Sequence, residues 1–414
     1  MAVKVGLVSL GCPKNLVDSE IMLGLLKDAG FEITGREREA DVLVVNTCSF
    51  INDAKEESIK TILELARLKD EGKCRALLVT GCLAQRYPKE LLAEMPEIDG
   101  LIGTGSVSGL PGAIHRTLAG EKVSLVGAPG YLHTARLSRI QATPGYTAYL
   151  KIAEGCDNRC SYCTIPAVRG PFRSREVDDV LAESAELARR GVKELILVAQ
   201  DTTRYGVDLY GRPVLDDLIR RLAAVEGLVW LRLLYTYPTL LTDDLIRLMA
   251  TEKKLCRYLD IPLQHAANSV LLRMNRKGSK EETIRLVEKL RSTVPGITLR
   301  TSFIVGFPGE TEEDFRELLD FMAQVRFDRV GVFAYSREEG TAAAEMPGQV
   351  PEEVKFERRD RAMALQQKIS QEKNRRRIGE VITVLVEGRS SKKRGVYAGR
   401  SEGDAPEIDG KVYF

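Results

Sequence analysis

Histidine is almost missing: His115, His133 and His265 are the only three in 414 residues, and they are scattered. No pair has the spacing of a zinc protease, so each is expected to be a packed or surface residue and not a ligand. Long apolar runs are also absent. Nothing approaches the length of a membrane-spanning helix, and MAVKVGLVSLGCPKN lacks the apolar core and small-residue cleavage site of a secretory signal. A cytoplasmic protein with no membrane partner is therefore expected. Neither sign of charge dominates. With 61 basic and 59 acidic residues the formal charge is +2, which excludes a global field for nucleic acid and leaves only local contacts. A hydrophobic content of 44% over this length does allow substantial cores, enough for two or three domains.

Eight cysteines stand out against these absences. In a reducing compartment metal ligation or catalysis is a better reading than structural disulfides. Three of them follow apolar runs directly: VGLVSLGC ends at Cys12, VLVVNTC at Cys48 and ALLVTGC at Cys82. Val/Leu runs of this kind, alternating with helix-like segments at 15–28 and 54–68, predict βαβ units and a parallel sheet. All three cysteines then fall at the carboxyl edge of that sheet, where open α/β folds hold their ligands. Cys74 precedes its strand and is expected at the opposite edge. One such cysteine alone would be read as a small buried hydrophobe. Three at equivalent positions point to a shared ligand, and three thiolates suit an iron-sulfur cluster with one open iron better than a four-ligand structural zinc.

After a linker-like stretch, LSRIQATPG, the sequence YLKIAEGCDNRCSYCTIPAVRG carries Cys156, Cys160 and Cys163 as CxxxCxxC. No second CxxC occurs, so a paired-CxxC zinc site is excluded. Three soft thiolates on one short loop fit three irons of a four-iron cluster. Six strand-like runs follow in order: AYLKIAE, ELILVAQD, WLRLLYTYP, YLDIPLQ, LRTSFIVGF and RVGVFAYS. Helical segments separate them, and TEEDFRELLDFMAQV has a capping-box start at Thr311 and Asp314. Six βα units with right-handed crossovers curl into a partial barrel whose chemistry lies at the strands' carboxyl ends.

The CxxxCxxC loop and these six units resemble the radical S-adenosylmethionine superfamily. The resemblance implies a 4Fe-4S cluster on Cys156, Cys160 and Cys163, whose open iron chelates the cofactor's methionine part. It implies further cofactor contacts from Gln200 and Asp201, which with Ala199 end the second strand, from Gln264 after the fourth, and from Arg300 on the fifth. Gly306, Phe307, Pro308, Gly309, Glu310 and Thr311 resemble the glycine-containing adenine segment. On its own GFPGET reads as a tight turn capping the next helix, and both roles are expected together.

Residues 351–377 read as a charged helix. From Lys373 to Phe414 there are ten Lys/Arg against six Asp/Glu, in a pattern that resembles a TRAM domain, a small antiparallel β-barrel. Only about three strands can be found, fewer than the roughly five of a small closed barrel, so an incomplete barrel is expected. Its modest positive surplus suits RNA phosphates, a ribosomal protein or plain solvent equally.

The expected architecture is thus α/β: an N-terminal parallel α/β domain at 1–135, a (β/α)6 TIM-like partial barrel at 136–372 and a partial TRAM-like domain at 373–414. In this order the chain resembles the methylthiotransferases over nearly its full length. That family implies a second 4Fe-4S cluster on Cys12, Cys48 and Cys82, which carries the sulfur. S-adenosylmethionine then serves as radical source and as methyl donor, and an external electron donor and a sulfur source are required. The tRNA-modifying branch usually has glutamine and methionine where this chain has Pro13 and Lys14, and an asparagine-rich segment where it reads QDTTRYG. GCPKNLVDSE and QDTTRYG resemble instead the branch that modifies the β-carbon of an aspartate in the small-subunit ribosomal protein S-twelve, which makes Asp201 and Thr202 expected neighbours of the substrate. A tRNA methylthiotransferase acting on an adenosine near the anticodon is the alternative. A non-catalytic iron-sulfur protein that binds RNA explains the cysteines but not the barrel.

Overall fold

A computed structural model describes residues 2–390 and 394–414. Six parallel strands form the first sheet: β1 (Lys4–Ser9), β2 (Glu32–Thr34), β3 (Val42–Thr47), β4 (Ala76–Gly81), β5 (Gly100–Ile102) and β6 (Val123–Leu125). They lie in the order β2-β1-β3-β4-β5-β6. Every residue of β3 and β4 is buried, as their unbroken Val/Leu runs require of a sheet covered on both faces. The chain steps from β1 outward to β2 and then back across to β3. This reversal opens a crevice at the carboxyl ends of β1 and β3.

The second sheet is all parallel as well, in the order β14-β13-β12-β11-β10-β7. Its strands are β7 (Thr147–Lys151), β10 (Glu194–Val198), β11 (Trp230–Leu233), β12 (Leu255–Asp260), β13 (Thr298–Val305) and β14 (Arg329–Ala334). They coincide with the six apolar runs of the sequence. β7 and β14 are not paired with each other, so the barrel is open on one side. Two short antiparallel strands, β8 (Ala153–Glu154) and β9 (Arg173–Ser174), pair across the base of the cysteine loop and hold its ends together.

Helix α1 (Pro13–Asp28) lies between the two sheets. Its Val17 and Ile21 join the inner barrel core with Tyr149, Ile196 and Val198, while Met22 and Leu26 pack on the first sheet. Asn15, Asp18, Ser19 and Glu20 are buried too. A helix covered on both sides has no solvent face, so its polar residues face protein partners.

The stretch expected to be a linker carries no helix or strand and also clamps the two domains together. Arg139 is buried; its Nε donates to Glu20 at 2.8 Å and its Nη1 to Glu183 at 2.6 Å, joining α1 to the barrel. A side chain at Gly24 would run into the Ser138 carbonyl, so only glycine lets this segment cross α1.

The helix Glu352–Arg376 runs without a break through residues 372 and 373. The tail forms three antiparallel strands, β15 (Val384–Arg389), β16 (Tyr397–Ser401) and β17 (Val412–Tyr413). It docks on residues at and near the amino ends of the barrel strands. Buried Arg400 pairs with Glu194 at 2.5 Å and Glu387 at 2.6 Å, Arg329 with Asp404 at 2.8 Å, and the Tyr258 hydroxyl donates to Asp409 at 2.7 Å. Lys373 and Lys411 also pair, with Asp328 and Glu387. Lys392 and Lys393 lie outside the described residues.

Candidate active site between two cysteine triads

Gly11 places the first triad. Its φ is +86°, and a Cβ there would stand 2.7 Å from Cys48 Cβ and 3.0 Å from Cys48 Sγ. The chain can thus bring Cys12, which caps α1, against Cys48 only with glycine before it. Gly81, at φ +92°, does the same before Cys82, where a side chain would strike Asn46. Cys48 is held through its backbone: its N–H donates to Ser58 Oγ at 3.1 Å, and the Ser58 hydroxyl donates to the Cys48 carbonyl at 3.0 Å. Cys82 Sγ lies 3.9 Å from Asn15 Oδ1. Asn15 in turn donates to the carbonyls of Leu10 and Thr47, tying the ends of β1 and β3 together.

The three expected sheet-edge cysteines therefore converge. Burial pushes the Cys48 thiol up to about 12, with Cys82 and Cys12 adding to the rise. Burial raises Cys82 as well, against the pull of Arg169. Cys74 is buried before β4 at the other edge and donates to the Ala76 carbonyl at 3.3 Å.

The second triad is built by one loop. Gly155, at φ +78°, closes it against Pro171. The Cys156 N–H donates to the Gly170 carbonyl at 3.1 Å and that of Cys163 to the Cys160 carbonyl at 3.1 Å. Burial pushes Cys156 up to about 11 and Cys163 up to about 12. All eight cysteines are free thiols. Among the described residues no group of three His, Cys, Asp or Glu can close on a single metal ion. A four-iron cluster sets each thiolate on a different iron and needs a wider set. The donor chemistry fits it, because soft thiols gathered in threes suit iron and a coordinated metal deprotonates even a buried one.

The expected cofactor residues lie around this loop to different degrees. Asn158, between Cys156 and Cys160, donates to Asp201 Oδ2 at 3.0 Å, and burial raises the Asp201 carboxyl. Gln200 Nε2 donates to Glu154 at 2.6 Å while its buried Oε1 has no partner among the described residues. That orphaned acceptor suits an ammonium group such as the cofactor's. Gln264 has φ +74° and extends β12 by a bridge to Phe303. In the GFPGET turn, Phe307 meets Tyr162 of the cysteine loop edge-on at 6.5 Å, which brings the turn to the second triad. Gly306 and Gly309 both have positive φ, and a side chain at Gly306 would strike Lys355. Thr311 and Asp314 form the expected capping box.

Arg300 and Glu310 are engaged with protein partners. Arg300 Nη1 pairs with Asp260 at 2.6 Å. Glu310 accepts from Arg358 at 2.9 Å and from the Phe307 N–H at 3.1 Å, and burial pushes its carboxyl up to about 7.

Two arginines escaped sequence reasoning. Arg169 is buried between the triads; it pairs with Asp18 at 2.5 Å and Glu154 at 3.2 Å and donates to Asn15. Burial opposes ionisation of Glu154, yet Lys151 and Arg169 hold that carboxyl well below its usual range. The path Cys82, Asn15, Arg169, Glu154, Gln200 is thus one hydrogen-bonded network from one triad to the loop after β10. Arg276 Nη1 lies 3.6 Å from Cys160 Sγ and 3.4 Å from the Tyr162 hydroxyl. The position of Arg169 directly after the motif, in CTIPAVRG, was its only sequence signal; Arg276 had none.

Residues 4–103 match an uncharacterized protein family, UPF0004; residues 150–322 match the radical SAM superfamily and residues 378–414 a TRAM domain. A curated protein of Pelotomaculum thermopropionicum named ribosomal protein uS12 methylthiotransferase RimO is 73% identical over all of this chain and 93% of its own length. One of the same name from Desulforamulus reducens is 57% identical over 99% of this chain and 93% of its own. The chain belongs to the RimO methylthiotransferase family. RimO membership makes it a transferase of the radical SAM class, and that superfamily implies a 4Fe-4S cluster and S-adenosylmethionine. Among solved structures, the radical S-adenosylmethionine methyltransferase TsrM from Kitasatospora setae superposes with TM-score 0.59 over 83% of this chain and 77% of its own, at 18% identity. That likeness extends the RimO comparison to fold alone. Among the described residues no helix is long and apolar enough to cross a membrane.

Proposed function

We propose that this chain attaches a methylthio group to the β-carbon of an aspartate in ribosomal protein uS12, in the cytoplasm, with two 4Fe-4S clusters held by the two triads. The observation that carries this reading is the convergence of Cys12, Cys48 and Cys82 at a sheet edge that faces the loops after the barrel strands. Two methylthiotransferases named for uS12, alike over nearly the whole chain, support the choice of substrate.

When bound, the clusters and S-adenosylmethionine supply the radical, the sulfur and the methyl group, with an external electron donor and a sulfur source. The side chains bind and orient. Gln200 offers its free Oε1 to the cofactor's ammonium, and Asp201 steadies the cysteine loop through Asn158. Gln264, Gly306 and Gly309 shape the walls for the rest of the cofactor. Arg300 and Glu310 act as positioning residues: Arg300 holds Asp260, which accepts from the Tyr235 N–H, and Glu310 fastens the GFPGET turn to Arg358.

The test is anaerobic turnover of reconstituted enzyme with reductant, S-adenosylmethionine, uS12 and tRNA in one vessel. The expected result is 5'-deoxyadenosine together with a methylthio adduct on an aspartyl peptide. An adduct only on a nucleoside overturns the substrate in favour of the tRNA reading. Absence of 5'-deoxyadenosine overturns the enzyme reading.

A further inference from the structure

Lys14 is a buried cation without an anion. It sits in the first turn of α1, two residues after Cys12, and is 8% exposed. Its ammonium stands 3.3 Å from the centroid of the Tyr235 ring, and among the described residues no carboxylate is within ion-pair distance of it, nearby Asp18 and Asp260 pairing with Lys151, Arg169 and Arg300 instead. Every other buried lysine or arginine among the described residues, neighbouring Lys151 and Arg169 included, has a carboxylate within ion-pair distance. An aromatic face offsets only part of the desolvation of an ammonium. The ammonium is thus left without a carboxylate partner of its own and free to take one from a substrate.

The surroundings say where that anion stands. Tyr235 follows β11 with φ +59°, an uncommon conformation for a bulky residue and one that persists only where neighbours enforce it. Here they do: its N–H donates to Asp260 Oδ2 at 3.0 Å, and its carbonyl accepts from the Thr202 N–H at 3.0 Å. The ring under Lys14 is thus fixed to the ends of β10 and β12, at the barrel mouth, while Lys14 itself comes from the sheet that carries the first triad. Its ammonium marks the point where the two halves of the site meet.

We propose that Lys14 receives the carboxylate of the substrate aspartate and selects that residue over its neutral amide; this rests on the ribosomal-protein reading above. The chemistry favours such a receptor. The β-carbon is bonded directly to the carboxyl carbon, so a cation that grips the carboxylate oxygens places the reacting carbon next to both triads, whereas an adenosine base offers no such charge.

The experiment uses the reconstituted holoenzyme and a peptide carrying the target aspartate of uS12, beside the same peptide with asparagine. Binding of both is measured by fluorescence anisotropy for the wild type, Lys14→Gln and Lys14→Arg. The wild type is expected to prefer the aspartyl peptide by about tenfold or more, the worth of one charge-assisted contact. Lys14→Gln removes the preference, and Lys14→Arg keeps it. Iron content and the spectrum of the reduced clusters stay at wild-type levels in Lys14→Gln, which a role in balancing thiolate charge does not allow. An unchanged Asp/Asn ratio in Lys14→Gln overturns the proposal, as does a change confined to the cluster spectrum. Turnover of uS12 by the wild type in the same preparation separates the two readings: an adduct with an unchanged ratio sinks Lys14 alone, and no adduct on uS12 sinks the substrate reading.

Discussion

Cys156, Cys160 and Cys163 share one loop, closed at its base by the β8 and β9 pair, whereas Cys12, Cys48 and Cys82 come from the ends of three strands and meet only when the first sheet is assembled. The loop triad carries its geometry locally. The sheet triad borrows its geometry from strand order, from two glycines in left-handed conformation and from a helix pressed between two domains. Changes remote from any cysteine should therefore disable the sheet triad first.

The largest effects come from the thiolates. Cys156→Ala is expected to abolish 5'-deoxyadenosine and methylthio product together, while Cys48→Ala abolishes the product and keeps 5'-deoxyadenosine, both read by chromatography after anaerobic turnover. Next is Arg169→Met. It leaves Asp18 and Glu154 buried around a missing charge, a loss of about 3–5 kcal/mol, to be measured by chemical denaturation; the iron lost should be that of the sheet triad. Gly81→Ala follows, at about 3 kcal/mol from left-handed strain and overpacking against Asn46. The same assay should show half the iron lost and 5'-deoxyadenosine kept.

The smallest effect is a pH dependence at the clamp between the domains. Burial, with Arg175 beside it, pushes His133 down to about 4, and its neutral Nε2 accepts from Arg175 at 2.9 Å. The unfolded chain binds this proton near 6.5. Between about 6.5 and 4 the unfolded state thus holds more protons, and stability falls as pH falls through that window. About 2 kcal/mol should go between pH 7 and 5. His133→Asn should flatten that slope in denaturation curves taken across the range; an unchanged slope removes His133 as its source.

What the sequence revealed follows the same division. CxxxCxxC, the six Val/Leu-rich barrel strands and the Thr311 capping box are local patterns and were legible. β2, β5 and β6, three residues each, are too short to show a period. α1 hid its burial because Asn15 finds its partner on the first sheet, Asp18 on the barrel and Glu20 on the segment that joins them, so no amphipathic face was present to read. Arg139 in the supposed linker, Arg276 beside Cys160 and the unpaired charge of Lys14 have meaning only through residues distant in sequence. The convergence of the sheet triad was inferable from topology, because each cysteine followed a strand; the glycines that permit it were visible as letters but not as conformations.

The division of labour between the triads is tested most directly by iron. Two variants, one lacking Cys12, Cys48 and Cys82 and the other lacking Cys156, Cys160 and Cys163, would be reconstituted anaerobically beside the wild type and assayed for iron per chain. Two clusters predict about eight irons for the wild type and about four for each variant. A variant without the sheet triad that keeps the full wild-type iron would contradict the account.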